Sequence, residues 1–287
     1  MEKLENKYQK EMWTLQQQIY NCPCLRKGNE SCYNGLQDRQ FGPDAIYVGE
    51  YYGKIKNHPK ILFIGNNPNS SETDFGIKMN TVKYMTQNPK VRPYDFYHTF
   101  YNGWKSTEMD LTGIKGFDHK PKINQVLENI FTGFKENIDL VKTIALTNSV
   151  LCKGTGKDGA PAGNMRRNCT SHQFWLKQTL QLLQPDTIFI FSGETWDDFI
   201  EEKIGNSKEI YLTPAVSYAY KLAWPNKSRS LVLRIPHFSR FVKNTTEYKE
   251  LVRNYEKIKP NLPISEYILN EIQELAKQEL VKMGFNC

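Results

Sequence analysis

The strongest constraint on this chain is a set of short runs with apolar centres. They are Lys60–Ile64 (KILFI), Val141–Val150 (VKTIALTNSV), Thr187–Phe191 (TIFIF) and Leu231–Ile235 (LVLRI). Successive side chains of a strand point to opposite faces, so a strand is apolar throughout only where both faces are covered. Each run gives way to a turn or loop: GNNPN, the glycine-rich KGTGKDGAPAGN, SGE and PHFSR. Ala45–Val48 (AIYV) reads as a further short strand. Helical spacing appears at 123–135, 171–183 and 196–203, between the runs. Strands alternating with helices predict a three-layer α/β/α sandwich with a central parallel four-stranded sheet. In such sheets the site lies beyond the carboxyl ends of the strands.

The rest of the chain is read as part of the same domain, 1–287. An N-terminal helix and a cysteine loop occupy 1–40. The helix places apolar residues at Leu4, Tyr8, Met12, Leu15 and Ile19. An aromatic-rich insertion covers about 76–120, and helices close the chain within 244–287. No apolar run approaches the ~18–20 residues that a membrane span needs. The polar N-terminus MEKLENKYQKEMWTLQQQ lacks the apolar core of a signal peptide, so the expected compartment is the cytoplasm. A net charge of +7, from 38 Lys+Arg against 31 Asp+Glu, hints at a polyanionic partner and equally describes a basic, soluble surface. Nothing in the chain calls for an obligate protein partner.

Five of the six cysteines fall into two groups, Cys22, Cys24 and Cys32 near the start and Cys152 and Cys169 in the middle. Disulfides are not expected in a reducing compartment. Buried thiols acting as small hydrophobes are one reading. Two distant groups converging on a metal or iron–sulfur site are the other. Cys287 is terminal and stands apart.

Three strand ends carry chemistry. Gly65-Asn66-Asn67-Pro68-Asn69 follows the first run, Asn148 lies in ALTNSVLC, and His237-Phe238-Ser239 follows LVLRIP. Taken singly, the turn is an ordinary loop, Asn148 a core amide and His237 a structural histidine. Together, at the ends of parallel strands, they read as a site. The order of these motifs resembles the uracil-DNA glycosylase superfamily, with its G-x-x-P turn, mid-chain Asn and late His-x-Ser. The stretch from Asn148 through Cys152 and Cys169, with sixteen residues between the cysteines, is similar to the superfamily's iron–sulfur branch. The resemblance covers about 20–75 and 140–242.

The resemblance implies a DNA glycosylase, a hydrolase of N-glycosyl bonds that flips a pyrimidine out of DNA. Asn148 would read the base edge, for which an amide's acceptor and two donors are suited. His237 would stabilise the anionic leaving base, and Asn67 would position the attacking water. Gly65, Asn66, Pro68 and Ser239 would line the site, and Phe75 would stack on the base, with Tyr94 and Phe96 as rivals. Arg240 and Phe241 would contact phosphate and fill the vacated stack. A [4Fe–4S] cluster on Cys24, Cys32, Cys152 and Cys169 is implied, with Cys22 as a substitute ligand and zinc as the alternative occupant. The first motif departs from that branch, which carries an acid where this chain has Asn66 and Asn67. A third Asn, Asn69, closes the motif, and Phe238 replaces the usual Pro. Uracil, a bulkier modified base in phage DNA removed as an antiviral defence, and DNA binding without catalysis all remain open readings.

Overall fold

The computed structural model describes residues 6–25, 32, 43–66, 85–105, 127–128, 139–152, 163–191, 206–209, 218–223, 229–235 and 264–285. In chain order the regular elements are α1 (Lys7–Tyr20), β1 (Tyr47–Val48), β2 (Ile61–Gly65), α2 (Pro93–Lys105), β3 (Ile144–Asn148), α3 (Gly163–Arg167), α4 (Trp175–Leu183), β4 (Thr187–Phe191), β5 (Asn206–Glu209), β6 (Tyr218–Ala223), β7 (Arg229–Ile235) and α5 (Ile264–Lys282).

The strands form one sheet of seven in the order β1-β3-β2-β4-β7-β6-β5. Its inner strands β3, β2, β4 and β7 run parallel. β1 adds to β3 antiparallel, and β6 and β5 continue antiparallel beyond β7. The sheet is thus wider than the four strands expected, because three antiparallel strands extend it to a mixed sheet of seven. The strands missed, NSKE and YAYKLA, lack an unbroken apolar run, so hydrophobic patterning passes over them.

Boundaries shift for local reasons. The run from Val141 starts as a 3₁₀ turn, Leu140–Thr143, because Asp139 caps it by accepting from the Val141 N–H at 3.1 Å. The helix expected from 171 begins at Trp175. Asn168–His172 form a π turn, and Phe174 sits in the left-handed region at φ 53°. The expected helix at 196–203 lies outside the described residues, as does most of 123–135, and of the closing stretch 244–287 the described part is 264–285. Among the described residues no helix is long and apolar enough to cross a membrane.

β2, β3 and β4 are buried along nearly their whole length, so both faces of the sheet centre are covered. Phe63 stacks on Phe189 and Phe191, with centroids 4.9 and 5.7 Å apart. Each such side chain contributes roughly 1.5–3 kcal/mol on burial. Asp186 ties the opposite end of the sheet together. Its carboxylate accepts from the Lys60 N–H at 2.8 Å, its own N–H donates to the Lys60 carbonyl at 2.8 Å, and its carbonyl accepts from the Leu231 N–H at 2.8 Å. Burial pushes this carboxyl above its ordinary range, against the pull of the Lys60 charge.

α1 docks through buried amides as well as apolar side chains. It packs on α2 and α4, and Trp13 meets Phe96 at 4.7 Å. The Asn6 amide donates to the carbonyls of Glu50 at 3.1 Å and Tyr52 at 2.9 Å, and Gln9 donates to that of Val48 at 2.9 Å. Gln16 donates to the Asp44 carbonyl at 3.2 Å and accepts from the Ile46 N–H at 2.9 Å. The helix thus satisfies backbone groups along one side of the segment 44–52, where the sheet offers them no strand. Gln16→Leu removes both partners at a fully buried position. It should destabilise the fold by about 2–4 kcal/mol and lower the Tm by roughly 5–12 °C. A Tm within a degree of the parent by calorimetry would contradict this role.

Candidate functional site

The parallel pairing of β2 and β3 sets Gly65 directly beside Asn148. The approach leaves no room for a side chain on β2. A Cβ on Gly65 would overlap the Asn148 Oδ1. Beyond the strands the ladder continues into the turn. The Ser149 N–H donates to the Gly65 carbonyl at 2.9 Å, and the Val150 N–H donates to the Asn66 carbonyl at 2.9 Å. The Ser149 hydroxyl donates to the same Asn66 oxygen at 3.1 Å. The first residues of the GNNPN turn are therefore fixed against the end of β3 before the turn leaves the described region.

The Asn66 side chain is fixed as well. The Arg166 guanidinium donates to its Oδ1 at 2.9 Å. Patterning missed Arg166, which stands in a polar stretch, GNMRRN, with no periodicity to mark it. Of the expected site residues, Gly65, Asn66 and Asn148 come together. Asn67, Pro68, Asn69, Phe75, His237, Ser239, Arg240 and Phe241 lie outside the described residues. β7, which leads towards His237, ends at Ile235 opposite Phe191 of β4, on the same edge of the parallel sheet as Gly65 and Asn148.

Phe96 is fully buried against Trp13 and so is unsuited to stack on a base. Tyr94 lines a small, shallow cleft with Gln9, Tyr47, Glu50, Tyr97 and Lys142. That cleft lies by β1 and the start of β3, at the other end of the sheet from Asn148.

A second focus lies behind the strand ends. The Cys32 N–H donates to the Cys24 carbonyl at 2.8 Å, and the Cys22 N–H donates to the Ile19 carbonyl at 3.1 Å, at the end of α1. Asn168 donates its amide to the Cys32 sulfur at 3.3 Å, and Gln173 donates to the Cys24 sulfur at 3.3 Å. Cys169 is buried between these donors in sequence and lies within electrostatic reach of Cys32, Cys22 and Cys24. Burial pushes its thiol far up, against a backbone hydrogen bond from Leu151. Burial likewise pushes Cys22 up to about 11 and raises Cys32, whose sulfur the Asn168 amide partly stabilises. Cys152 is buried next to Leu151 and pairs with Pro43 across an isolated antiparallel bridge.

The donor set is thiol only, supported by amide N–H groups. That chemistry suits iron–sulfur clusters or a thiolate zinc site, since N–H···S contacts stabilise thiolates and tune their ligation. Among the described residues no three His, Cys, Asp or Glu side chains close into a site for a single metal ion. The amides beside the thiols, one residue before Cys169 and four after it, are a signal that the sequence carries and that a search for ligands alone overlooks.

Gly65→Ala should leave the fold intact, because the clash falls on the tip of one side chain, and should rotate Asn148 away from the strand end. A crystal structure of the variant with Asn148 unmoved would refute the close approach.

The family model described as the Uracil DNA glycosylase superfamily matches residues 52–259. None of the curated proteins matches the chain.

Proposed function

The chain belongs to the uracil-DNA glycosylase superfamily, and on that premise we propose that it is a monofunctional DNA glycosylase that removes uracil or another modified pyrimidine from DNA. The observation that carries this reading is the apposition of the Gly65-Asn66 turn and Asn148 at adjacent parallel strand ends. A flipped base needs a pocket that reads its edge, and an amide held at the end of a buried strand offers a preorganised acceptor and donors.

In the proposed reaction Asn148 binds the base edge and Phe75 stacks on its face. Asn67 holds a water against the sugar. As the bond between the sugar carbon C1′ and the base nitrogen breaks, positive charge grows on the sugar and negative charge on the base. His237 donates a hydrogen bond to the developing base anion. The water oxygen bonds to C1′ and its proton passes to solvent or the departing base, leaving an abasic site and the free base. With amides in place of a carboxylate in the first motif, the turn positions the water rather than deprotonating it. Pro68 and Ser239 shape the pocket, and Arg240 and Phe241 hold the opened duplex.

Cys24, Cys32, Cys152 and Cys169 would hold a [4Fe–4S] cluster, with Cys22 able to replace a ligand. When bound, the cluster cross-links the N-terminal segment to the strand ends. Zinc is the alternative occupant. Anaerobically purified protein should contain about four iron atoms per chain and absorb broadly in the visible, and Cys169→Ser should lose both. Zinc at one per chain without iron would decide for the alternative.

The amides Asn66, Asn67 and Asn69 favour a second substrate class, bulkier modified bases such as those of phage DNA. Base release separates the readings. Purified protein is incubated with a uracil-containing duplex and with phage DNA carrying modified cytosines, followed by alkaline cleavage at abasic sites. Asn67→Ala and His237→Ala should each slow release by on the order of 100-fold, and Gly65→Ala should slow it similarly through Asn148. Release from neither DNA, with tight DNA binding retained, would leave a binding protein on this fold.

A further inference from the structure

We propose that Arg166 is a positioning residue for Asn66, holding its amide so that it meets a bound nucleotide as a hydrogen-bond donor. The inference rests on the glycosylase reading and assigns this residue's part in it. A guanidinium has five N–H donors and no acceptor. The atom 2.9 Å from the Arg166 Nη2 is therefore the Asn66 oxygen, which settles which way the amide is turned. With Oδ1 held by a charge-assisted bond, the amide offers a ligand its NH₂ group rather than its oxygen.

The backbone leaves little freedom to undo this. The Asn66 carbonyl takes hydrogen bonds from both Val150 and Ser149. At the other end, the Arg166 carbonyl accepts from the Thr170 hydroxyl at 3.0 Å. Two residues further on, Asn168 is tied to Cys32. Arg166 thus reaches Asn66 from a segment anchored in the cysteine group. A carboxylate at position 66 would form an ion pair with Arg166. The amide here keeps the hydrogen bond and leaves the guanidinium charge unneutralised by Asn66. A donor amide suits a carbonyl oxygen on the base, where negative charge develops, and is unsuited to activating water. The water then falls to Asn67.

The test combines kinetics with a probe independent of turnover. Single-turnover base release and DNA affinity would be measured for Arg166→Ala, Arg166→Lys, Asn66→Ala and the double alanine variant. Arg166→Ala and Asn66→Ala should each slow release by roughly 100-fold with little change in DNA affinity. The double variant should be no slower than the slower single one, because one residue acts through the other. Arg166→Lys should recover part of the rate. Multiplying effects, or weaker DNA binding at an unchanged rate, would make Arg166 an independent phosphate contact and overturn the proposal. In ¹⁵N–¹H spectra the side-chain amide pair of Asn66 should shift in Arg166→Ala, and unchanged signals would also overturn it. If the native protein releases no base, the glycosylase reading falls, and the amide signals still decide whether Arg166 orients Asn66.

Discussion

The candidate site depends on one close approach. β2 and β3 run parallel in a register that faces Gly65 with Asn148, and the absence of a side chain at 65 lets the Asn148 amide occupy that space. The pairing then outlasts the strands, through Ser149 and Val150, into the turn that begins at Asn66. The first residues beyond the two strands are thereby held together at the sheet edge. Polar groups fixed by backbone pairing need no reorganisation when a ligand's charge changes, which is the condition for electrostatic catalysis.

The cysteine group poses the opposite electrostatic problem. Thiols from two segments are buried together, and burial drives Cys22, Cys32 and Cys169 towards their neutral forms. Amide donors from Asn168 and Gln173 already face two of the sulfurs. Such an arrangement is poor for thiolates alone and good for thiolates around cationic metal, because a bound cation reverses the local preference. The same segments carry two residues of the candidate site. Cys152 lies four residues beyond Asn148, and Cys169 lies three beyond Arg166.

The sequence was most legible where residues are apolar on both faces. TIFIF is a strand from end to end, and KILFI is displaced by one residue. The motif order points to the family that the chain belongs to. Legibility failed where structure is decided by partners rather than by pattern. The edge strands β5 and β6 owe their conformation to pairing with β7. The apolar stripe on α1 also holds Gln9 and Gln16, which serve the backbone of 44–48. Arg166 is an ordinary basic residue until the fold brings it across a hundred residues to Asn66.

The docking of α1 on α4 has a consequence for biosynthesis. Cys22, Cys24 and Cys32 leave the ribosome more than a hundred residues ahead of Cys169 and of the helix that α1 packs against. At about 5–20 residues per second that interval is on the order of ten seconds. Throughout it the leading thiols and the face of α1 have no late partner, and the nascent chain is open to oxidation and to capture by holding factors. The yield of correctly assembled protein should therefore follow the redox state met by the emerging chain more closely than the stability of the finished fold.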